Sequence, residues 1–209
     1  MAAAPAVDAW EPWSPADVLS RLEGVVAPWC VVGGWALDLW AGRQSRPHED
    51  LEIAVPAGRF AEIRDRLTDC ALFVPVDGEL QPLDHSAEQL QRSHQTWVGQ
   101  GGRWRLDVMR EPHVAAGPDA DGELWVCRRD ETLRLPYADI IRRTAAGVPY
   151  LRPDLVFLFK AKARRAKDVV DFDRTVPTFS PAERRRLADL IVRAYGPEHP
   201  WVAPLTGSS

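Results

Sequence analysis

Residues 29–55 constrain the fold more than any other part of the sequence. The apolar run at 29–32 is followed by two glycines, Gly33 and Gly34, and is typical of a short buried strand. Residues 35–40 then have the pattern of a short helix, and residues 50–55 form a second strand-like run that ends at Pro56. A strand, a glycine turn, a helix and another strand in this order predict a mixed α/β core.

The rest of the chain adds helices and strands, and its character changes near residue 150. We expect helices at 15–24, 58–68, 153–164 (continuing as helix over 167–176) and 181–195, and strands at 71–76, 95–99, 103–109 and 123–127. Residues 77–93 and 111–122 are expected to be irregular. The pattern predicts an α/β (α+β) protein: a small mixed β-sheet core flanked by helices at 1–147, and a C-terminal helical region at 148–209.

Composition narrows the partners and the compartment. The formal net charge of −4 does not favour a general nucleic-acid-binding surface. The three cysteines are far apart in sequence, which disfavours a zinc ribbon or a disulfide framework and fits a reducing cytosol. The chain has neither a signal-peptide pattern nor an apolar run of membrane-spanning length. We therefore expect a cytoplasmic monomer or homodimer without nucleic-acid or membrane partners.

Two acidic residues in the second predicted strand are candidate metal ligands. Asp50 and Glu52 are two positions apart, so in a strand their side chains project from the same face. Carboxylates held together repel one another unless a cation lies between them, and Mg²⁺ is commonly held by one or two carboxylates together with substrate phosphates. The alternative is the solvated face of an edge strand.

Asp107 is a third acidic candidate, in the strand-like segment 103–109. It shares one face of that segment with Arg103 and Arg105. If this strand lies beside the strand of Asp50, Asp107 completes a cluster of three carboxylates. The alternative is a surface aspartate in an ordinary salt bridge.

Glycines and lysines supply candidate phosphate-binding groups. Gly33 and Gly34 permit close approach of the backbone, and the helix after them offers unpaired N–H groups, although such turns are often purely structural. The only lysines, Lys160, Lys162 and Lys167, lie within eight residues. Positions 160 and 167 share a face if the helix is continuous, so we favour these two, and the alternative is a solvated basic face.

These motifs resemble the polymerase-β-type nucleotidyltransferase superfamily. The segment GGWALDLWAGRQSRPHEDLEIAV is similar to the aminoglycoside and lincosamide nucleotidyltransferases, and so are YLRPDLVFLFKAKARRAKDVVDF and the later His-Pro-Trp at 199–201. The resemblance extends over about two-thirds of the chain and is weakest at 75–145. One departure is Glu52, where many members have Asp, which leaves the rate and the metal preference open.

The resemblance implies a reaction and a role for each candidate. ATP or another NTP is expected as the donor, with Mg²⁺ held by Asp50 and Glu52. Asp107 is expected to be the third ligand or the general base toward the acceptor hydroxyl. The cofactor-binding residues are expected to be Gly33, Gly34, Arg46, Lys160 and Lys167.

Several neighbouring residues have two possible roles. Arg46 and His48 either bind phosphate or support the strand of Asp50, and we favour support for His48. Asp168 and Asp171 either hold the lysines or line the acceptor site.

Aromatic residues and histidines are weaker candidates. Trp97 and Trp104, which flank the Gly-Gly turn of the predicted hairpin, either pack in the core or stack on a nucleobase or acceptor. The three histidines at 85, 94 and 113 have no ligand-like spacing and are expected to be ordinary loop or core residues.

The expected function is therefore transfer of an NMP, in particular AMP, to a hydroxyl of a small molecule, such as an aminoglycoside- or lincosamide-like antibiotic. One alternative is a catalytically weak or toxin–antitoxin-like protein of this fold that acts on or binds a macromolecule. Another is a nucleotide or phosphate binder without transfer activity. Intact carboxylates at 50, 52 and 107 favour the enzyme.

Overall fold

A computed structural model of the protein describes residues 3–84, 86–116 and 122–207. The helices are α1 (Pro15–Arg21), α2 (Gly33–Ala41), α3 (Phe60–Arg64), α4 (Ala87–Arg92), α5 (Tyr137–Ile140), α6 (Pro153–Ala161), α7 (Ala166–Thr175), α8 (Pro181–Tyr195) and α9 (Val202–Thr206). The strands are β1 (Cys30–Val31), β2 (Glu52–Pro56), β3 (Ala71–Val76), β4 (Glu79–Pro82), β5 (Gln95–Gln100), β6 (Arg103–Glu111), β7 (His113–Ala115), β8 (Glu123–Cys127), β9 (Asp130–Pro136), β10 (Ile141–Arg143) and β11 (Pro149–Leu151).

The strands form two sheets. The larger has eight strands in the order β10-β11-β1-β2-β6-β5-β3-β4, and the smaller has the order β7-β8-β9. The larger sheet is mixed, because β1 pairs with β11 and β2 pairs with β6 in parallel while the other neighbours are antiparallel. The predicted α+β class, with a mixed sheet and flanking helices, is confirmed.

Local sequence signals explain several element boundaries. Helices α1 and α8 each begin with a capping box. The serine side chain at the N-cap (Ser14 or Ser180) accepts a hydrogen bond from the backbone N–H three residues later, and the carboxylate there (Asp17 or Glu183) accepts one from the serine N–H. The turn between β5 and β6 consists of Gly101 and Gly102, both with positive φ, which is the conformation that tight hairpin turns favour.

One apolar core joins the sheet to the C-terminal helices. Alternate residues of β2 and β6, such as Ile53 and Val108, are fully buried, and so are Leu155 of α6 and Leu187 of α8. Helix α6 packs against both α2 and α8. Since β11 also belongs to the larger sheet, the segment after residue 147 contributes to the same core, and the division at 147/148 stays a prediction.

The structure differs from the sequence-based expectations in several segments. The segments β4 and α4 lie in the stretch expected to be irregular, and β7 lies in the expected loop at 111–122, of which residues 117–121 are outside the described part. The second strand begins at Glu52, so Asp50 precedes it. The helix expected to run on from 153 to 176 is interrupted between Ala161 and Ala166. Within the described residues, no helix combines the length and the apolar character needed to cross a bilayer.

Candidate active site

The pairing of β2 with β6 brings two acidic side chains together. Glu52 and Asp107 are register partners in this parallel pair, so their side chains lie next to each other on the same face of the sheet. Asp50 precedes β2 and is close enough to raise the pKa of both. The adjacency of the two strands, on which the three-carboxylate hypothesis depended, is therefore present in the structure.

Asp107 is held by one contact and has one free oxygen. It is 4% exposed, and its Oδ2 accepts a hydrogen bond of 2.6 Å from Nε2 of Gln95, which lies on the same face of β5. Its Oδ1 is buried and forms no hydrogen bond of normal geometry among the described residues, and the same is true of Nε1 of Trp97, its register partner on β5. The indole of Trp97 lies near the carboxyl and lowers its pKa, against the larger effect of burial. An unpaired buried carboxylate oxygen is costly and therefore indicates a missing partner.

The carboxylates repel one another. Burial, followed by the negative charge of Asp50, raises the pKa of Glu52 to about 7. Burial, followed by the charge of Glu52, raises the pKa of Asp107 well above its ordinary value. Both shifts mean that the protein without a cation disfavours the fully ionised cluster.

These residues fit a Mg²⁺ ion that obtains further ligands from its substrate. Among residues 3–84, 86–116 and 122–207, no three His, Cys, Asp or Glu side chains are grouped so as to hold a metal ion by themselves. The free Oδ1 of Asp107 and the repulsion from Glu52 both call for a positive partner. Mg²⁺ is typically bound by one or two carboxylates together with substrate phosphates, so a pair of carboxylates suffices.

The two glycines make room for charged side chains at the start of α2. Gly33 has a φ of +65°, and a Cβ at this position would collide with the carboxylate of Glu52. A Cβ on Gly34 would lie 2.6 Å from Nη2 of Arg46 and 2.7 Å from the ring of His48. The helix N-terminus therefore lies directly beside the acidic strand and a guanidinium group.

A buried ion-pair network links α6 to α7 beside the carboxylates. The ammonium of Lys160 donates to Asp168 at 2.7 Å and to Asp171 at 2.9 Å. Arg46 donates from Nε and Nη2 to both oxygens of Asp171, each at 3.1 Å, and Arg165 donates from Nε to Asp168 at 2.9 Å. Burial opposes the ionisation of both aspartates, but hydrogen bonds from Arg165, Arg46 and Lys160 lower the pKa of each. Of the two roles expected for these aspartates, the structure shows that they hold Lys160.

The two favoured lysines have different environments. Lys160 is 8% exposed, whereas the side chain of Lys167 is 38% exposed and forms an ion pair with Glu49 at 3.3 Å. The expectation that they share one helix face is wrong, because α6 ends at Ala161 and Lys167 belongs to α7. Both nevertheless line the cavity described below.

His48 supports the segment that carries Asp50, which is the role favoured from the sequence. Its Nε2 lies 2.6 Å from Oδ2 of the buried Asp38 on α2, and its ring lies against Trp35, with centroids 4.6 Å apart. These contacts fix the loop before Asp50 against α2.

The two tryptophans of the hairpin differ from each other. Trp104 is fully buried, and its ring nitrogen donates to the carbonyl of Ala6 at 2.8 Å, so it cannot stack on a ligand. Trp97 is partly exposed and packs edge-on against Trp10 and Trp104. The core role is therefore correct for Trp104.

A cavity of about 330 Å³ extends along the sheet from Asp50 and Glu52, whereas Asp107 is not among the residues that line it. At one end, which we call the phosphate end, it is lined by the groups already predicted: Gly33, Gly34, Arg46, Asp50, Glu52, Lys160 and Lys167, joined by Arg165. The other end, which we call the inner end, is lined by residues that the sequence did not single out for chemistry: Glu111, Trp125, Arg128, Arg129, Tyr137 and Phe159, together with His94. His94 was expected to be ordinary, His113 contacts Glu123, and His85 lies outside the described residues. Spacing gave no signal for the inner end, because the smaller sheet brings it together.

A mixed sheet with a glycine turn, a helix N-terminus and acidic positions on adjacent strands is the arrangement expected of the nucleotidyltransferase superfamily. Residues 16–102 match the family model described as aminoglycoside-2''-adenylyltransferase, so the resemblance to this superfamily is confirmed. The match covers less than half of the chain. It includes Gly33, Gly34, Asp50 and Glu52 but ends before Asp107 and the lysines.

Comparisons with solved structures give distant similarities. The crystal structure of ANT(2'')-Ia in complex with adenylyl-2''-tobramycin is 15% identical, covers 92% of each chain and has a TM-score of 0.48. The lincomycin-bound lincosamide antibiotic adenylyltransferase LnuA is 14% identical, covers 76% of this chain and 93% of its own, and also has a TM-score of 0.48. No curated protein sequence matches the chain.

Proposed function

We propose that the protein transfers an NMP, in particular AMP from ATP, to a hydroxyl of a small molecule such as an aminoglycoside- or lincosamide-like antibiotic. The observation that carries the proposal is the pairing of Glu52 with Asp107 beside Gly33. Acidic groups from two strands, next to a helix N-terminus and a set of cations, suit the reaction of a polyphosphate with a hydroxyl. The family match over residues 16–102 supports the reaction class.

Each group at the phosphate end has a role in this reaction. Asp50 and Glu52 would hold Mg²⁺, which when bound neutralises charge on the triphosphate and its pyrophosphate leaving group. The N–H groups at the start of α2 would bind the phosphates, and the exposed cations Arg165 and Lys167, which line the same end of the cavity, would add positive charge there.

Asp107 would receive the proton of the acceptor hydroxyl as that oxygen attacks the α-phosphorus. Its Oδ2 is held by Gln95, which leaves Oδ1 available for the proton or for a cation. Because Asp107 is fixed between β2 and β5, the protein contributes mainly by positioning groups and needs no covalent intermediate.

The proposal is tested by incubating the purified protein with MgNTPs and a library of aminoglycosides, lincosamides and other hydroxylated compounds. Mass spectrometry should detect one compound whose mass increases by one NMP, with stoichiometric release of pyrophosphate. Substitution Asp50→Asn should abolish the gain. Binding of MgNTP without transfer to any small molecule, combined with labelling of a macromolecule from a lysate, would instead support the toxin–antitoxin-like alternative.

A further inference from the structure

Three residues that line the inner end of the cavity have buried polar atoms without a hydrogen bond of normal geometry to any described residue. Oε2 of Glu111, Nε of Arg129 and the hydroxyl of Tyr137 are all buried and form no hydrogen bond of normal geometry within the described part of the chain. The indole of Trp125 lies near Glu111 and lowers the pKa of its carboxyl, although burial raises it overall. All three residues line the same cavity. Buried groups of this kind are nearly always paired in folded proteins, and leaving each unpaired costs about 1–3 kcal/mol. Their convergence on one space indicates a bound molecule with several polar groups.

The inner end is separate from the phosphate end but lies on the same sheet face. Glu111 is four residues beyond Asp107 on β6, and the even spacing places both side chains on one face, about 13 Å apart at 3.3 Å per residue. That separation exceeds the size of a phosphate group and suits a ring-sized molecule whose reacting hydroxyl reaches back toward Asp107.

Aromatic side chains form the walls of the inner end. The rings of Trp125 on β8 and Phe159 on α6 have centroids 6.2 Å apart, and the guanidinium of Arg129 lies over Phe159 at 5.4 Å. Apolar ring faces next to unpaired polar atoms are typical of sites that bind a molecule with one hydrophobic and one hydroxylated surface.

The charge of the inner end is positive overall. Its one carboxylate, Glu111, is already paired with Nε of Arg128 at 3.1 Å, and Arg129 follows in the turn between β8 and β9. Burial is the main cause that lowers the pKa of His94 to about 4, and the charges of Arg128, Arg110 and Arg129 lower it further. A molecule with several ammonium groups would be repelled here.

We propose that the inner end is the acceptor subsite and that it takes a polyhydroxylated compound which is uncharged or anionic, not a polycation. A hydroxyl group of the acceptor donates to the buried Oε2 of Glu111, hydroxyl or carboxylate oxygens accept from Arg129 and Tyr137, and its apolar part lies against Trp125 and Phe159. This inference rests on the proposed function and narrows it: within the antibiotic classes considered, it disfavours aminoglycosides.

A matched series of glycosides tests the charge preference. Phenyl glucoside, phenyl glucuronide and phenyl glucosaminide share one scaffold and differ in one ring substituent, which is neutral, anionic or cationic. Their binding, and that of tobramycin as a polycation, is measured by calorimetry at pH 7. We expect the glucoside and the glucuronide to bind, the glucosaminide to bind at least about 3-fold more weakly, and tobramycin not to compete. Tighter binding of either cation, or no binding by any glycoside, overturns the proposal.

A tyrosine variant tests whether the acceptor binds at the inner end of the cavity. Tyr137→Phe removes only the unpaired hydroxyl. It should lower the affinity for phenyl glucoside by roughly 3- to 10-fold, which is the effect of losing one hydrogen bond. Tyr150→Phe is the matched control, because Tyr150 does not line the cavity, and it should leave binding unchanged. MgATP affinity should not change in either variant. Weakened MgATP binding in Tyr137→Phe, with the glucoside unaffected, would make this the nucleobase site and overturn the proposal.

The two proposals can fail separately. If MgATP binds and NMP transfer to some compound occurs, but the glycosides do not bind, the acceptor inference fails and the proposed function stands. If the glycosides bind as expected but no MgNTP binds or reacts, the proposed function fails and the subsite remains.

Discussion

At the scale of single residues, the site is defined by charge that the protein alone does not balance. Glu52 and Asp107 are neighbours across two strands, and burial raises the pKa of both. The charge of Asp50 raises the pKa of Glu52 further, and the charge of Glu52 does so for Asp107. Structural ion pairs would lower a carboxyl pKa instead, as they do for Asp168 and Asp171. The contrast between the two groups of acids separates a candidate reaction centre from the scaffold around it.

Asp107→Asn should therefore stabilise the protein while removing its activity. Loss of a buried charge next to Glu52 should raise the unfolding midpoint by roughly 2–4 °C, which corresponds to about 1 kcal/mol at this chain length. Loss of the proposed base should lower the rate of NMP transfer at least about 100-fold. Differential scanning fluorimetry and pyrophosphate release measure the two effects.

The exposed aspartate Asp65 provides a control for this substitution. Asp65→Asn should change neither stability nor rate, since Asp65 is exposed and its side chain forms an ion pair with the neighbouring Arg64 at the surface. A loss of both stability and activity in Asp107→Asn would show that Asp107 supports the fold and does not act in the reaction.

The pKa of Glu52 predicts how Mg²⁺ binding depends on pH. A folded-state pKa of about 7, well above the ordinary value for glutamate, means that this group stabilises the fold when protonated, and that this contribution is lost as the pH rises through 7. Mg²⁺ competes with that proton, so its apparent affinity should increase about 10-fold from pH 6 to pH 8. Isothermal titration with MgCl₂ at several pH values measures the increase.

Two variants test whether the pH dependence of Mg²⁺ binding is due to Glu52 or to the nearby Glu49. Glu52→Gln should weaken Mg²⁺ binding and flatten its pH dependence, whereas Glu49→Gln, at an exposed position next to Asp50, should preserve the profile. An unchanged profile in Glu52→Gln would assign the titration to another group.

At the scale of elements, the junction of α6 and α7 depends on one buried cation. Lys160 near the end of α6 bonds Asp168 and Asp171 on α7, so it joins two helices that the sequence pattern suggested were one. Arg46 reaches Asp171 from the loop before β2 and extends the network to the acidic residues.

Substitutions at the two lysines should have different effects. Lys160→Met leaves two buried aspartates with one cation fewer and should lower the free energy of unfolding by about 3 kcal/mol. Lys167→Ala, at an exposed position, should leave stability within about 0.5 kcal/mol and raise the KM for the NTP several-fold. Chemical denaturation and steady-state kinetics distinguish the two. If the KM for the NTP is unchanged in Lys167→Ala, Lys167 is a solvated surface residue and does not bind the nucleotide.

Elements with strong local signals could be predicted from the sequence, and those that depend on distant partners could not. The capping boxes at Ser14 and Ser180 and the turn at Gly101 are encoded within a few residues, and α1, α8 and the β5–β6 hairpin follow them. By contrast, β10 and β11 are three residues each, and β11 becomes a strand by pairing with β1 far away in sequence. Short segments of this kind have too little periodicity to be recognised.

The same limit applies to the site. Asp50, Glu52 and Asp107 could be selected as candidates because acids are unusual within strand patterns. No unusual sequence pattern marked the inner-end residues Glu111, Arg129 and Tyr137. They come together because the smaller sheet packs near α6. Their unpaired atoms become visible only when the surroundings of each side chain are known.

At the scale of the whole molecule, the sheet and the C-terminal helices form one core and the cavity lies between them. The phosphate end takes Lys160 and Lys167 from the helices, and the inner end takes Phe159. Both ends also use strands of the larger sheet. A site assembled in this way requires both regions of the chain to be folded at once.

A chain that ends at residue 147 should therefore not fold alone. It lacks β11, which pairs with the two-residue strand β1, and α6, which packs on α2, so it would expose the apolar surfaces of both. We expect no cooperative thermal transition, strong binding of a hydrophobic dye, and no MgATP binding. Co-expression with residues 148–209 should restore a single transition and nucleotide binding, because the missing surfaces are supplied in trans. A cooperative transition of the 1–147 fragment alone would show instead that the boundary at 147/148 separates two independent domains.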